Sequence, residues 1–492
     1  GRRPRRTSSP PPTTASTTPL DLVAYGMNDS YVPQASPLPL PEVAAYLAPF
    51  RSLIRYRQSR ESLERYVTGL LTNLPRKNCD VLAAVLANTS VERLQHLLTD
   101  ATWDPLALDE LRVRQLVAST APGGMLVLDD TGLPKQGKAS VGVARQYSGT
   151  LGKTGNCQVL VSAEYVEDRL ERCDPLHWPV SAQLYLPESW TTDADRCRRV
   201  RVPEDLTFRT KPELAIALVD RALAWGVPFG VVVADAGYGD NPAFLAALEA
   251  RDLPYVCAVT STFGVRLPGE VAAAAATAPA YRGRGQPRKA RPAPLHTAQA
   301  VLDGLPEQAW RVVTWRQGSG GAPLGKQVVA VRTHRATGNA HLSASHSRVT
   351  TGPEGWLIGE RPLPGERGDA KWYVSTLPAD TPWARLLAVA HQRWVIEQFY
   401  EDAKGACGLD QYQGRRWDGL HRHVALAMLA YSFLQHHRLQ PAAAGGFPPL
   451  TAATEPAGGP SRHPALAVPG PGPLAHRHRP DPGLPPLQNL TK

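Results

Sequence analysis

The sequence predicts an α/β fold preceded by an all-helical region and interrupted by a β-rich insertion. Three observations carry this. Two unbroken apolar runs, residues 125–128 and 227–234, have the character of strands buried on both faces, and each ends in a carboxylate, Asp129 and Asp235. Residues 211–226 form an amphipathic helix that feeds directly into the second run, with Leu214, Ala217, Leu218, Ala222 and Trp225 on its apolar side. A helix lying between two buried strands is the signature of an α/β layer.

Composition sets the outer limits. At 492 residues the chain is long enough for two to four domains. Its formal charge of +10 and pI near 9.4 suit a polyanionic partner, although Arg2, Arg3, Arg5 and Arg6 place part of that charge in the N-terminal tail. The six cysteines are scattered, without a CxxC pair or zinc spacing, which fits a reducing, cytoplasmic compartment. No apolar run of 18 residues exists, so no membrane span is expected. The basic N-terminus lacks the apolar core of a signal peptide.

Residues 1–35, rich in Pro, Ser, Thr and Arg, are expected to be a disordered tail. Residues 36–119 read as a helical domain. Leu63, Tyr66, Val67, Leu70 and Leu71 recur at helical spacing, as do Val81, Leu82, Val85 and Leu86, and Ser90 caps a further helix. Arg51, Arg55, Arg57, Arg60 and Arg65 lie between the apolar positions, where they form either a DNA-binding surface or an ordinary solvated face. The first part of the core spans 120–260. After the first buried run, residues 141–143, 158–166 and 180–186 read as successive strands, and another strand follows at 253–259. A β-rich insertion spans 261–370, with a basic loop at 282–291 and strands expected at 310–315, 327–333 and 355–358. The core resumes over 371–438, with a strand at 371–376 and helices at 382–407 and 419–436; beyond 439 a Pro/Ala/Gly-rich disordered tail is expected.

The chemistry rests on carboxylates. An acid at the end of a buried strand is costly unless a cation, a partner or water meets it. The alternative is that Asp130 or Thr131 merely caps a turn. A third acid, Glu397, lies on a helix with Arg393 four residues before it and Lys404 seven after it, so all three share one face. That arrangement suits a phosphodiester, with the acid on a metal and the cations on phosphates, or else it is an exposed i,i+4 ion pair of small effect. Carboxylates without His or Cys favour Mg²⁺ or Mn²⁺ over zinc, and two such ions about 4 Å apart can serve phosphoryl transfer. Gly152-Lys153-Thr154 lacks the Gly required five positions earlier, where Tyr147 stands, so it is not a P-loop. His421 and His423, two apart on a helix, point to different faces, and Trp372, Trp394 and Trp417 read as core.

The segments LDDTGLPKQGKASVGVARQYSGTLGKTGNCQ, VVADAGYGD and RWVIEQFYEDAKGACGLDQYQGRRWDGLHRHVALAMLAYSFL together resemble a bacterial DDE transposase of the IS701 group, related to the IS4 family. Asp235-Ala236-Gly237-Tyr238 matches the family's D-x-G-[FY]. Arg393, Glu397 and Lys404 match its Y-x2-R-x3-E-x6-K, with Ala390 at the Tyr position and Trp394 or Tyr400 as substitutes. The resemblance implies an RNase H-like core and a catalytic and metal-binding triad of Asp129, Asp235 and Glu397, the family's D-x-[ST] context selecting Asp129 with Asp130 as the alternative. It further implies metal-dependent nicking of DNA at terminal inverted repeats, attack of the freed 3′-OH on target DNA, and a homodimer in the DNA complex. Arg393, Lys404, Lys135, Lys138, Arg145, Lys153 and Tyr238 are the expected DNA-binding side chains. The rival readings are an RNase H-like nuclease without strand transfer and an inactive transposase-derived DNA-binding protein.

Overall fold

The computed structural model of the chain describes residues 38–149, 152–169, 175–277, 292–318, 321–337 and 349–439. The tails expected over 1–35 and beyond 439, and the basic loop 282–291, lie outside the described residues.

Five helices come first: α1 (Pro41–Leu47), α2 (Arg57–Leu71), α3 (Cys79–Val85), α4 (Val91–Thr99) and α5 (Pro105–Val117). Side-chain caps fix the starts of the last three, with Asn78 accepting from the Val81 N–H, Ser90 from Arg93 and Asp104 from Leu106. Not all their basic residues face solvent. Arg65, expected on an exposed face, is 3% exposed and held by Glu64, and Lys77 is buried with its ammonium on the carbonyls of Leu70 and Ala406.

The sheet begins with β1 (Gly124–Pro134), β2 (Ala144–Ser148), β3 (Lys153–Val166) and β4 (His177–Tyr185). Two short helices, α6 (Glu188–Thr191) and α7 (Ala194–Arg199), lead to α8 (Lys211–Ala224), which opens with a Thr210/Glu213 capping box. Next come β5 (Phe229–Ala234), α9 (Ala236–Gly239), α10 (Pro242–Glu249) and β6 (Tyr255–Val259). The spatial order is β4-β3-β1-β5-β6; β4, β3 and β1 run antiparallel, while β5 and β6 run parallel to β1. This is the RNase H-like arrangement. Residues 141–143, expected as a strand, instead form a turn ahead of β2: Gly142 has φ +71°, and a Cβ there would lie 2.9 Å from Leu184.

The inserted strands continue the same sheet. They are β7 (Gly264–Arg266), β8 (His296–Thr297), β9 (Arg311–Gln317), β10 (Pro323–Thr337) and β11 (Thr350–Arg361), with α11 (Pro268–Ala276) and α12 (Ala298–Asp303) between them. Strand β12 (Lys371–Ser375) joins the two parts, pairing antiparallel with β6 on one side and β11 on the other. Three helices complete the chain: α13 (Trp383–His391), α14 (Trp394–Gly405) and α15 (Trp417–Leu439). The helix expected over 382–407 is thus two, broken at Gln392-Arg393.

Strand alternation divides the core into two layers. Met125, Val127 and Leu133 of β1, with Val231 and Val233 of β5, pack with α13, α14, α15 and the N-terminal helices. Leu126 and Leu128, with Val232 and Ala234, pack with α8 and α10. Asp129 therefore belongs to the α14 side and Asp130 to the α8 side.

Candidate active site

Leu128 and Ala234 are register partners on the parallel strands β1 and β5, so Asp129 and Asp235, one residue further along, end neighbouring strands. Asp235 caps α9, its Oδ1 accepting from the Gly237 N–H at 2.9 Å. Asp129 is buried, its Oδ1 accepting from the Asp130 N–H at 2.7 Å and its Oδ2 from Arg393 Nη1 at 2.8 Å. Burial and the nearby Asp235 charge push the Asp129 carboxyl up to about 7, against the opposing pull of Arg393. Burial raises Asp235 as well, with Arg393 again opposing.

Arg393 sits at the break between α13 and α14, which lets one guanidinium reach in two directions. It donates to Asp129 and, through Nη2, to Glu397, whose side chain is 56% exposed. The charges of Asp129, Glu397 and Asp235 in turn favour its charged form, against its burial. Lys404 lies on the same side, its ammonium donating to Thr131 Oγ1 at 2.8 Å. The break is braced by the insertion: the His391 ring stacks on Trp315 at 4.3 Å and hydrogen-bonds Glu360, and the Arg316 guanidinium lies 4.9 Å over Trp394.

Asp130 has a different partner. Lys211, at the first turn of α8, donates to both its carboxylate oxygens at 3.0 Å. Lys211 escaped the sequence reading because it lies 81 positions from Asp130. The available signal was a cation at a helix N-terminus, which the macrodipole disfavours unless an anion stands nearby.

The remaining sequence-predicted residues divide into committed and exposed side chains. Lys135 donates to the carbonyls of Asp410 and Tyr412, and burial pushes its ammonium down to about 8. Tyr238 is 2% exposed beneath Asp130, which removes it from any surface a duplex could touch. Lys138, Arg145 and Lys153 are exposed. Of the two aromatics considered for the missing Tyr, Tyr400 is buried with its hydroxyl 2.6 Å from Ser162 Oγ, and Trp394 is covered by Arg316.

A divalent cation fits this donor set. Asp129 is buried and Asp235 half-buried, the two are adjacent, the Asp235 charge raises Asp129, and every available ligand atom is a hard oxygen. Among the described residues no three acidic, His or Cys side chains converge as they stand, because Glu397 is linked to Asp129 through Arg393. No described helix is long and apolar enough to cross a membrane.

Comparison with known proteins places the chain in a family. A curated relative, the probable transposase for insertion sequence element IS701 of Microchaete diplosiphon, is 29% identical over 228 residues. The match covers 46% of this chain and 55% of the relative, so the chain spans about half the length of that protein. Residues 49–322, more than half of the chain, match the DDE superfamily endonuclease family, and the chain therefore belongs to that superfamily.

Proposed function

We propose that the protein is an insertion-sequence transposase that nicks DNA at element ends and joins the freed 3′-OH to target DNA. The observation that carries the reading is the Asp129/Asp235 pair at the ends of two parallel strands, with Arg393 and Glu397 presented to it from the start of α14 and Lys404 from its last turn. Asp129, Asp235 and Glu397 would hold Mg²⁺ or Mn²⁺, which when bound supplies Lewis-acid stabilisation and an activated nucleophile. Arg393, which lies between Asp129 and Glu397, would grip a phosphate, with Lys404 on the same side. Lys211 holds Asp130 to the α8 side, which favours Asp129 as the first ligand. The helical region and the exposed Lys138, Arg145 and Lys153 are proposed to contact the inverted repeats mainly through phosphates, so binding weakens steeply with salt. The site tolerates a cytoplasmic, reducing setting because it uses no thiol, and a homodimer would bring two ends together.

The test is cleavage of a supercoiled plasmid carrying the native element ends, in Mg²⁺, Mn²⁺ or EDTA. Metal-dependent cuts at the element boundary followed by joining are expected. Cuts without joining would leave a nuclease, and salt-sensitive binding without cuts in either metal would leave an inactive descendant.

A pH dependence follows from the site. A carboxyl raised from about 3.9 in the unfolded chain to about 7 in the folded one takes up a proton on folding across that window. Its stabilising contribution is therefore full below about 4 and lost as pH rises through 7. Because a metal ligand must be deprotonated, Mn²⁺ affinity of the DNA-free protein is expected to fall about tenfold per pH unit below 7. Calorimetric titration with Mn²⁺ between pH 5.5 and 8 checks this; an affinity flat across the range would remove Asp129 from the ligand set.

A further inference from the structure

Helices α13 and α14 meet at a break that their own residues do little to hold. The backbone bonds around it run three residues back, not four: Gln392 N–H donates to the Val389 carbonyl, Val395 to Gln392 and Ile396 to Arg393. Such bonding has poorer geometry than the α-helical ladder, and inside a helix it marks a hinge or a strained stretch. No side chain caps the start of α14. Gln392 is 1% exposed, and its side-chain oxygen finds no partner among the described residues, which adds to the cost of the break. Left to local interactions, the same residues would favour one continuous helix.

What holds the break lies on β9. This strand is at the margin of the sheet, paired with β10, and none of its seven residues is fully buried. Its side chains run along the helix pair. The Arg311 guanidinium lies 4.9 Å over Trp383 at the start of α13, Trp315 stacks on His391 at its end, and Arg316 covers Trp394 at the start of α14. The Trp315 and His391 rings are close to parallel, 17° apart. His391 is held a second time by Glu360 of β11, a buried carboxylate that accepts from its Nε2 at 2.7 Å. Lys371 and Tyr373 of β12 face the same carboxylate. The imidazole is thus fixed from two directions, two residues before Arg393.

We infer that Trp315 and Glu360 are positioning residues: by fixing His391 they hold the break, and the break aims the Arg393 guanidinium at Asp129 and Glu397. Arg393 makes both contacts from the turn that belongs to neither helix. Extending α13 through that turn would re-aim the side chain, because an α-helix has about 3.6 residues per turn and the tighter bonding about 3.0. A strand with no buried residue contributes little to the core, so losing its stacked side chains should disturb the site before the fold. The insertion would in this way act on the acids through Arg393 without touching them.

The inference rests on the transposase reading and is tested separately from it. Amide hydrogen exchange on the metal-free protein reads the clamp without any reaction. Trp315→Ala is expected to change exchange of the Gln392, Val395 and Ile396 amides by about threefold or more, faster if the turn frays and slower if the helices fuse, with β1 and α2 unchanged. On the plasmid bearing the native ends, Trp315→Ala and Glu360→Ala should each lower the cleavage rate at saturating protein by about ten- to a hundredfold, with end binding within about twofold. Trp315→Phe, which keeps a stacking ring, should recover most of that rate. In the Arg393→Ala protein, adding Trp315→Ala should cost less than about a further twofold, since positioning exerted through Arg393 cannot be lost twice. Equal losses in both backgrounds would make Trp315 a general stabiliser and overturn the inference, as would unchanged exchange at the three amides. Absence of boundary cutting by the unmodified protein overturns the transposase reading alone, and the exchange then decides on the clamp.

Discussion

Replacing Asp235 by Asn, or Glu397 by Gln, is expected to lower metal-dependent cleavage by about three orders of magnitude or more while leaving end binding within about twofold. The magnitude follows from the several kcal/mol a bound metal supplies to developing charge at about 1.4 kcal/mol per factor of ten. Both variants keep the size and the hydrogen-bonding shape of the side chain. In Asp235→Asn the amide oxygen can still accept from the Gly237 N–H, so the cap that starts α9 survives. Removing the Asp235 charge also relieves the repulsion that raises Asp129. The metal-free Asp235→Asn protein should therefore be no less stable than its parent at neutral pH. Cleavage measured on the plasmid substrate, with binding followed by anisotropy, separates chemistry from affinity. Full cleavage in either variant would sink the assignment of that acid.

What the sequence revealed and what it hid follow from the distance over which each feature is decided. Strands β1 and β5 are legible because a parallel strand covered on both faces must be continuously apolar, so the abrupt appearance of Asp129 and Asp235 stands out. The helical spacing of α2 and α8 is equally local. The break at Gln392-Arg393 is not: no Gly or Pro marks it, and the apolar pattern runs through from Ala388 to Phe399. It is set by the stacking of Trp315 on His391 and of Arg316 on Trp394, contacts with a strand some 75 residues earlier (391 − 315 = 76). The insertion shows the same limit. Its strands could be read individually, but β12 pairing with β6 across more than a hundred residues (373 − 258 = 115), which merges insertion and core into one sheet, leaves no local trace. Tyr238 shows a motif residue whose place differs from its expected role. Its spacing from Asp235 matches the family pattern, yet the short α9 turns the ring inward beneath Asp130.

Arg112 is the residue whose loss is expected to cost the fold most, and nothing in its sequence context marks it. It lies on α5 between Leu111 and Val113 and is 0% exposed. Its guanidinium donates to Asp109, to the carbonyls of Pro179 and Val180 on β4, and to Ser432 Oγ on α15. One side chain thus ties the N-terminal helices, the edge of the catalytic sheet and the C-terminal helix together. Its charge also opposes the effect of burial on Asp109 and on Glu164, a fully buried carboxylate held by His177. Truncation would leave two main-chain carbonyls and two carboxyls without their cation, a situation that costs about 3–5 kcal/mol in buried ion pairs. Arg112→Leu is therefore expected to lower unfolding stability by that amount. Arg112→Lys should recover little of it, since one ammonium cannot span donors aimed at three elements. Urea unfolding followed by tryptophan fluorescence measures both; a loss below about 1 kcal/mol would show that solvent reaches the site. Tyr66 with His423, and Lys77 with Ala406, fasten the same helices at two further points. A helical region attached in this way forms one packed body with the strands that carry Asp129 and Asp235.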